Sequence, residues 1–178
     1  ASFLGLVIDR FPESSIIRSR SHCDHCQQTL RPLDLIPILS QVLFRFRCRY
    51  CQSPLPYWYA LFEVWSGLLF LLCYQGLLPI SHLFVLLGSC VLAIYDLRSM
   101  EYPLLIWLVL HALCLFFTSP TLLMGVFLFL GVLSAVYSIG IGAGDFLLLA
   151  TFSLTLSAVQ VLLVMQGASL IGLLIFLL

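Results

Sequence analysis

From residue 55 to residue 178 only five side chains carry charge: Glu63, Asp96, Arg98, Glu101 and Asp145. Few structures are open to a stretch that apolar. In hydrocarbon every backbone N–H and C=O must find its partner within the protein, which leaves α-helices and closed β-barrels. No apolar/polar alternation long enough for barrel strands is present, so helices are expected. Hydrophobic spans fall at 57–78, 82–97, 103–118, 121–139, 146–163 and 168–178, parted by joints at Leu78-Pro79, 96–103, Ser119-Pro120, 140–145 and Gln166-Gly167. Overall, 62% of residues are hydrophobic and 9% charged, against about 25% charged in soluble domains. The expected fold is an all-α polytopic transmembrane helix bundle, with the lipid bilayer as its surroundings. Net charge is zero, and no nucleic-acid partner is expected.

Residues 1–8 are too few to cross a bilayer and read as the end of a truncated transmembrane helix. The chain opens at Ala1 without a Met and ends in an apolar run, so further residues are expected at both ends. Three regions follow: the helix end at 1–8, a polar module at 9–54 and a transmembrane domain at 55–178.

The polar module holds seven of the eight arginines. Positive residues in short loops mark the cytoplasmic side, so this loop is expected inside. Threading the spans outward and back from there brings both Asp96 and Asp145 to the cytoplasmic end. The same loop holds two C-x-x-C pairs, Cys23/Cys26 and Cys48/Cys51, with 21 residues between them. Four thiolates suit a closed tetrahedral zinc site, which would give a small loop without a core its folding energy. Disulfides are the alternative, but a cytoplasmic loop is reducing and bridges there would be transient. His22 and His25 stand close enough in sequence to replace a thiolate. Cys73, Cys90 and Cys114 lie singly in apolar spans and read as ordinary buried small residues.

A carboxylate within a transmembrane helix costs up to roughly 2.5–3.5 kcal/mol on insertion scales, the value at the helix centre, so two at one depth point to a shared task. Acid and base chemistry on one water is the obvious one, a base to activate it and an acid to protonate the leaving group. Asp145 closes Gly140-Ile141-Gly142-Ala143-Gly144-Asp145, where Gly142 and Gly144 let backbone come close, to a neighbouring helix or to an extended substrate. The plainer alternative makes Asp96 a helix-end residue paired with Arg98, and Asp145 the N-cap of a span starting at Phe146. Glu63 either orients the site or pairs with an arginine, Glu101 is solvated, and His82 and His111 are structural. Tyr57, Trp58, Tyr59, Trp65 and Trp107 read as interface anchors.

In this order and spacing the residues resemble the type IV prepilin peptidases, membrane aspartyl proteases of the Gly-x-Gly-Asp class, and among them the competence-pseudopilin type. The resemblance runs along essentially the whole chain. It rests on Ser2-Phe3-Leu4 and Val7-Ile8-Asp9-Arg10-Phe11-Pro12, on Arg20-Ser21-His22-Cys23, and on Leu33-Asp34-Leu35-Ile36-Pro37-Ile38-Leu39-Ser40. Asp96, with Pro103 seven residues on, and Gly142-Ala143-Gly144-Asp145 complete it. The chain departs from the family at Gly5 (usually Asn), Phe46 (commonly Gly), Ala60 (often Pro) and Leu147 (often Lys).

The resemblance implies a bacterial inner-membrane endopeptidase that removes the basic leader from prepilin or pseudopilin substrates at the cytoplasmic face. Asp96 and Asp145 would be its catalytic pair, Gly142, Gly144 and Glu63 supporting residues, and Cys23, Cys26, Cys48 and Cys51 its zinc ligands. Four-cysteine members often also methylate the new N-terminus with S-adenosylmethionine, although no glycine-rich nucleotide loop is present here. Two rival readings are a non-enzymatic membrane scaffold whose zinc module docks a partner and an ion-coupled transporter. Transport sites tend to lie near the midplane rather than at one end.

Overall fold

Where the sequence is apolar the chain is helical. The computed structural model describes residues 5, 7, 8, 21–23, 25–36, 38–99, 102–137 and 140–177, with only the backbone of Ser99. Among them are seven α-helices: α1 (Leu39–Leu43), α2 (Trp58–Tyr74), α3 (Ile80–Ser99), α4 (Leu104–Phe117), α5 (Leu122–Tyr137), α6 (Ala143–Thr155) and α7 (Ala158–Leu177). A single 3-10 turn, Pro32–Leu35, precedes α1. No strand forms among the described residues; two isolated antiparallel bridges, His22 with Thr29 and Arg47 with Pro54, close small hairpins. Stretches 80–98 and 158–177 are long and apolar enough to cross a membrane, whereas α2, α4, α5 and α6 are shorter apolar helices. Gly5, Val7 and Ile8 are helical. Ser2 to Leu4, residues 9–12, Arg20, Asp24, Pro37 and Glu101, all used in the sequence argument, lie outside the described residues.

Two helix boundaries differ from expectation. The span expected at 146–163 ends at Thr155, and α7 then runs through Gln166-Gly167, where a joint was expected. The break has a local cause. Ser157 Oγ accepts the Gln160 N–H at 3.4 Å, and Gln160 Oε1 accepts the Ser157 N–H at 2.9 Å. This is a reciprocal capping box that starts a new helix within apolar sequence. Similarly, α6 begins at Ala143 rather than at Phe146, with Gly142 at the N-cap.

The chain divides into two compact units, residues 1–77 and 78–178. In the first, α2 accompanies the cysteine hairpins. Glu63 of α2 is buried at 4% exposure. Its Oε2 accepts the Ile38 N–H at 2.8 Å and the Gln41 Nε2–H at 2.7 Å, tying α1 to α2.

In the second unit α6 is the central helix, packed against α3, α4, α5 and α7. Val85 and Leu92 of α3, Trp107, Leu110 and Cys114 of α4 and Leu154 of α6 form one buried cluster. Phe127, Ala150 and Val161 form another, on α5, α6 and α7. Helices α3 and α4 are antiparallel: Phe84 stacks on Phe117 at 5.6 Å, and Leu110 lies directly over Gly88. In contrast, α4 and α6 run parallel. Tyr102 meets Gly144, Trp107 Nε1–H donates to the Leu147 carbonyl at 2.8 Å, and His111 Nδ1 lies 2.9 Å from Thr151 Oγ1.

Candidate active site and metal centre

That register settles the level of the two aspartates within this unit. Asp96 stands in the last turns of α3, and the antiparallel α3/α4 pairing carries it to the level of Tyr102. Tyr102 in turn touches Gly144, the residue before Asp145. Both carboxylates therefore belong to the same end of the unit, and both are exposed. Asp145 is not the N-cap of its helix. It occupies the first turn, three residues past the Gly142 cap, where the helix N-terminus favours negative charge. Asp96, near the C-terminal end of α3, gains nothing from its helix dipole.

Three glycines shape the entry to α6, each for its own reason. Gly140 has φ +85°, a left-handed turn that a side chain would strain. At Gly142 a Cβ would lie 3.3 Å from Asp145 Oδ2, so the bare backbone leaves room for the carboxylate to fold back over it. At Gly144 a Cβ would lie 2.6 Å from Tyr102 Cδ2, too close to the ring for a side chain to fit. The Ser134 hydroxyl of α5 donates to the Ile141 carbonyl and ties this turn to the bundle.

Leu147, where the resembled family often has Lys, is half-buried against the main cluster and lies 3.4 Å from where a Gly131 Cβ would be. The position points into the α5/α6 contact and suits an apolar side chain. Trp107 is not an interface anchor. It is buried, stacked on His111 with ring centroids 5.0 Å apart, and its indole N–H is shared between Leu147 O and Thr151 Oγ1 at 3.0 Å. This polar network locks α4 to the helix that carries Asp145. Apolar periodicity gave no sign of it. Tyr102 was also missed; its signal was an aromatic immediately before the Pro103 that opens α4. Its hydroxyl is buried with no hydrogen-bond partner among the described residues. Burial, and then the Asp145 charge, push the phenol well above its ordinary range.

In the first unit the sulfurs of Cys23, Cys26, Cys48 and Cys51 all lie within 4.8 Å of one another. Cys23 Sγ and Cys51 Sγ are 3.8 Å apart, against about 3.8 Å for two thiolates at about 2.3 Å from a tetrahedral ion. The two pairs are built alike. Cys23 N–H donates to Gln28 O and Gln27 N–H to Cys23 O, and Cys48 N–H donates to Ser53 O and Gln52 N–H to Cys48 O. Gln27 and Gln52 both take left-handed conformations, φ 58° and 59°. This repeated C-x-x-C-Gln hairpin, too short to show as a sequence repeat, aims backbone N–H groups at the sulfurs.

Burial raises the Cys23 thiol, but the N–H groups of Cys26 and His25 hold it below its usual value. The Ser53 hydroxyl and N–H bring Cys51 down to about 6. Burial raises Cys48 against the N–H groups of Cys51 and Tyr50. Cys26, despite the Gln28 N–H, is pushed up to about 11 by burial and the three other thiols. Four sulfurs this close cannot all ionise unless a cation sits among them. All seven cysteines are free thiols, and the cluster itself is made of four sulfurs without His22 or His25.

The family profile described as Bacterial Peptidase A24 N-terminal domain matches residues 1–77, the same bounds as the first structural unit. The chain is 45% identical to the prepilin leader peptidase/N-methyltransferase of Myxococcus xanthus, over 40% of this chain and 22% of that protein. It is 39% identical to the type 4 prepilin-like proteins leader peptide-processing enzyme of Escherichia coli O78:H11, over 40% of this chain and 34% of that protein. Against the prepilin leader peptidase/N-methyltransferase of Bacillus subtilis it is 30% identical over 162 residues, 80% of this chain and 63% of that protein. The chain thus spans from 22% to 63% of the lengths of these relatives. No solved structure gives a match. The first structural unit matches the Bacterial Peptidase A24 N-terminal domain along its whole length, and the chain is similar to prepilin leader peptidases over as much as 80% of its own length.

Proposed function

We propose that this protein is a polytopic inner-membrane aspartic endopeptidase that cleaves the basic leader from prepilin-like substrates, of the competence-pseudopilin type, at the cytoplasmic face. The observation that carries the reading is the common level of Asp96 and Asp145 at one end of the second unit, beside a turn cleared by Gly142 and Gly144. One carboxylate takes a proton from water as its oxygen adds to the scissile carbonyl carbon. The other gives a proton to the leaving nitrogen as the C–N bond breaks. The bare backbone at Gly142 leaves room for the Asp145 carboxylate, and Gly144 admits the Tyr102 ring beside it. The substrate's basic leader arrives from the cytoplasm and its apolar helix from the bilayer, which is why the carboxylates belong at that boundary.

The four sulfurs hold zinc in this reading, and the metal is structural. Four thiolates complete a tetrahedral coordination sphere and leave no position for water. Glu63 supports the same module by holding α1 through Ile38 and Gln41.

The test is direct. Detergent-solubilised full-length protein is incubated with a prepilin-type peptide carrying a basic leader and an apolar segment. Release of a leader-sized fragment is expected; an intact peptide under conditions where the protein stays folded contradicts the proposal.

A further inference from the structure

We infer that α1 is an interfacial membrane helix, whose Leu39, Val42 and Leu43 sit in the cytoplasmic leaflet of the bilayer while Arg45 and Arg47 meet the lipid phosphates. The inference rests on the inner-membrane reading above and adds to it a lipid contact outside the spanning helices.

The polarity of α1 is inverted. Leu39, Val42 and Leu43, spaced i, i+3 and i+4, share one face of the helix and are 52%, 59% and 66% exposed. Ser40 and Gln41, between them in sequence, are each 5% exposed. Ser40 Oγ donates to the Ile36 carbonyl at 2.8 Å, and the Gln41 amide donates to Glu63 at 2.7 Å. A helix on a water-facing surface buries its apolar side and hydrates its polar one. This one does the reverse, and Leu33 and Ile36 just before it are exposed as well. Large apolar side chains gathered on one short segment call for an apolar partner.

Glu63 fixes where that partner must be. Its carboxylate holds the Ile38 N–H at 2.8 Å, so the start of α1 lies beside the second turn of α2. That level is about 7.5 Å along the axis from Trp58, where α2 begins. Tyr57, Trp58 and Tyr59 open α2 with aromatic rings of the kind that collect at the membrane–water interface. A helix held just inward of such a belt lies where interfacial helices bury their apolar face, about 5–10 Å into the headgroup boundary.

The charges around the face favour lipid over protein. Between residues 25 and 57 there are four arginines and one acid, Asp34. The Asp34 side chain is 6% exposed and pairs with Arg49 at 3.8 Å. Arg45 and Arg47, just after α1, are exposed. Their long side chains reach the anionic surface while the neighbouring apolar face lies in the leaflet.

The experiment places the photoreactive residue p-benzoylphenylalanine at Val42, Leu43, Gln28 or Leu170 of the full chain, reconstituted in vesicles of phosphatidylethanolamine and phosphatidylglycerol. After irradiation, mass spectrometry reads what each position has captured. Val42 and Leu43 are expected to gain the mass of one phospholipid, as is Leu170, exposed on the long apolar α7. Gln28, exposed on the first cysteine hairpin, should gain none. Lipid at Leu170 but not at Val42 or Leu43, with α1 captured by the chain itself or by nothing, overturns the placement of α1 and leaves the membrane reading standing. So does equal lipid capture at Gln28, because the contact would then not belong to the α1 face. No lipid at any of the four positions overturns both.

Discussion

Residue by residue, the chain keeps unfavourable local conformations where a specific partner holds them. Ile38 sits at φ 60°, a β-branched residue in a region that costs of order 1–3 kcal/mol unless its surroundings impose it. What imposes it is Glu63, whose carboxylate takes the Ile38 N–H and the Gln41 amide on one oxygen. Replacing Glu63 by Ala leaves both donors without that acceptor and is expected to destabilise the first unit by about 2–4 kcal/mol. Glu63→Gln, which keeps an acceptor oxygen, should cost clearly less. Chemical unfolding, or protease cleavage within residues 31–55, reads the difference, and equal stability of all three proteins would contradict it. Phe46 explains a departure noticed in the sequence: at φ 57° it occupies a conformation that glycine takes freely, and its ring rests 4.9 Å from that of Tyr57. The contact offsets the strain that a glycine would avoid.

Helices and their junctions show which features could be read from the sequence and which could not. The apolar spans and Pro103 foretold α2 to α5 to within a few residues, because hydrophobic length and helix-start residues are local signals. The α6/α7 break went unread although Ser157 and Gln160 spell a capping box, since the apolar run around them continues unbroken. The level of Asp145 relative to Asp96 could be anticipated by threading spans. The contact of Tyr102 with Gly144 could not, nor could the Trp107–His111–Thr151 network, because both depend on the parallel register of α4 and α6.

Close packing also sets the tolerance of each helix to substitution. A Cβ at Gly88 would lie 2.5 to 2.9 Å from three side-chain atoms of the buried Leu110, so Gly88→Ala should separate α3 from α4 and cost about 1–3 kcal/mol. Gly125, within α5, faces open space. There Ala should be neutral or stabilising by up to about 1 kcal/mol. Thermal unfolding of the two variants in detergent decides, and a Gly88→Ala protein as stable as Gly125→Ala would contradict the packing described.

Taken whole, the protein is two compact units, one holding the cluster of four cysteine sulfurs and the other the two carboxylates. Purified protein is expected to hold about one zinc per chain. Cys→Ser changes at 23, 26, 48 or 51 should lower metal content and the protease resistance of residues 21–55, with peptidase activity falling only as folded protein is lost. Immediate arrest of cleavage by a chelator in an otherwise intact protein, and immediate rescue by zinc, would contradict a structural metal. The central claim is the aspartate pair, and the most direct measurement is prepilin-peptide cleavage by Asp96→Asn and Asp145→Asn proteins that insert and fold like wild type. Neither partner can supply the other's proton transfer, so each substitution alone should abolish fragment release; retained processing by either variant would contradict the mechanism.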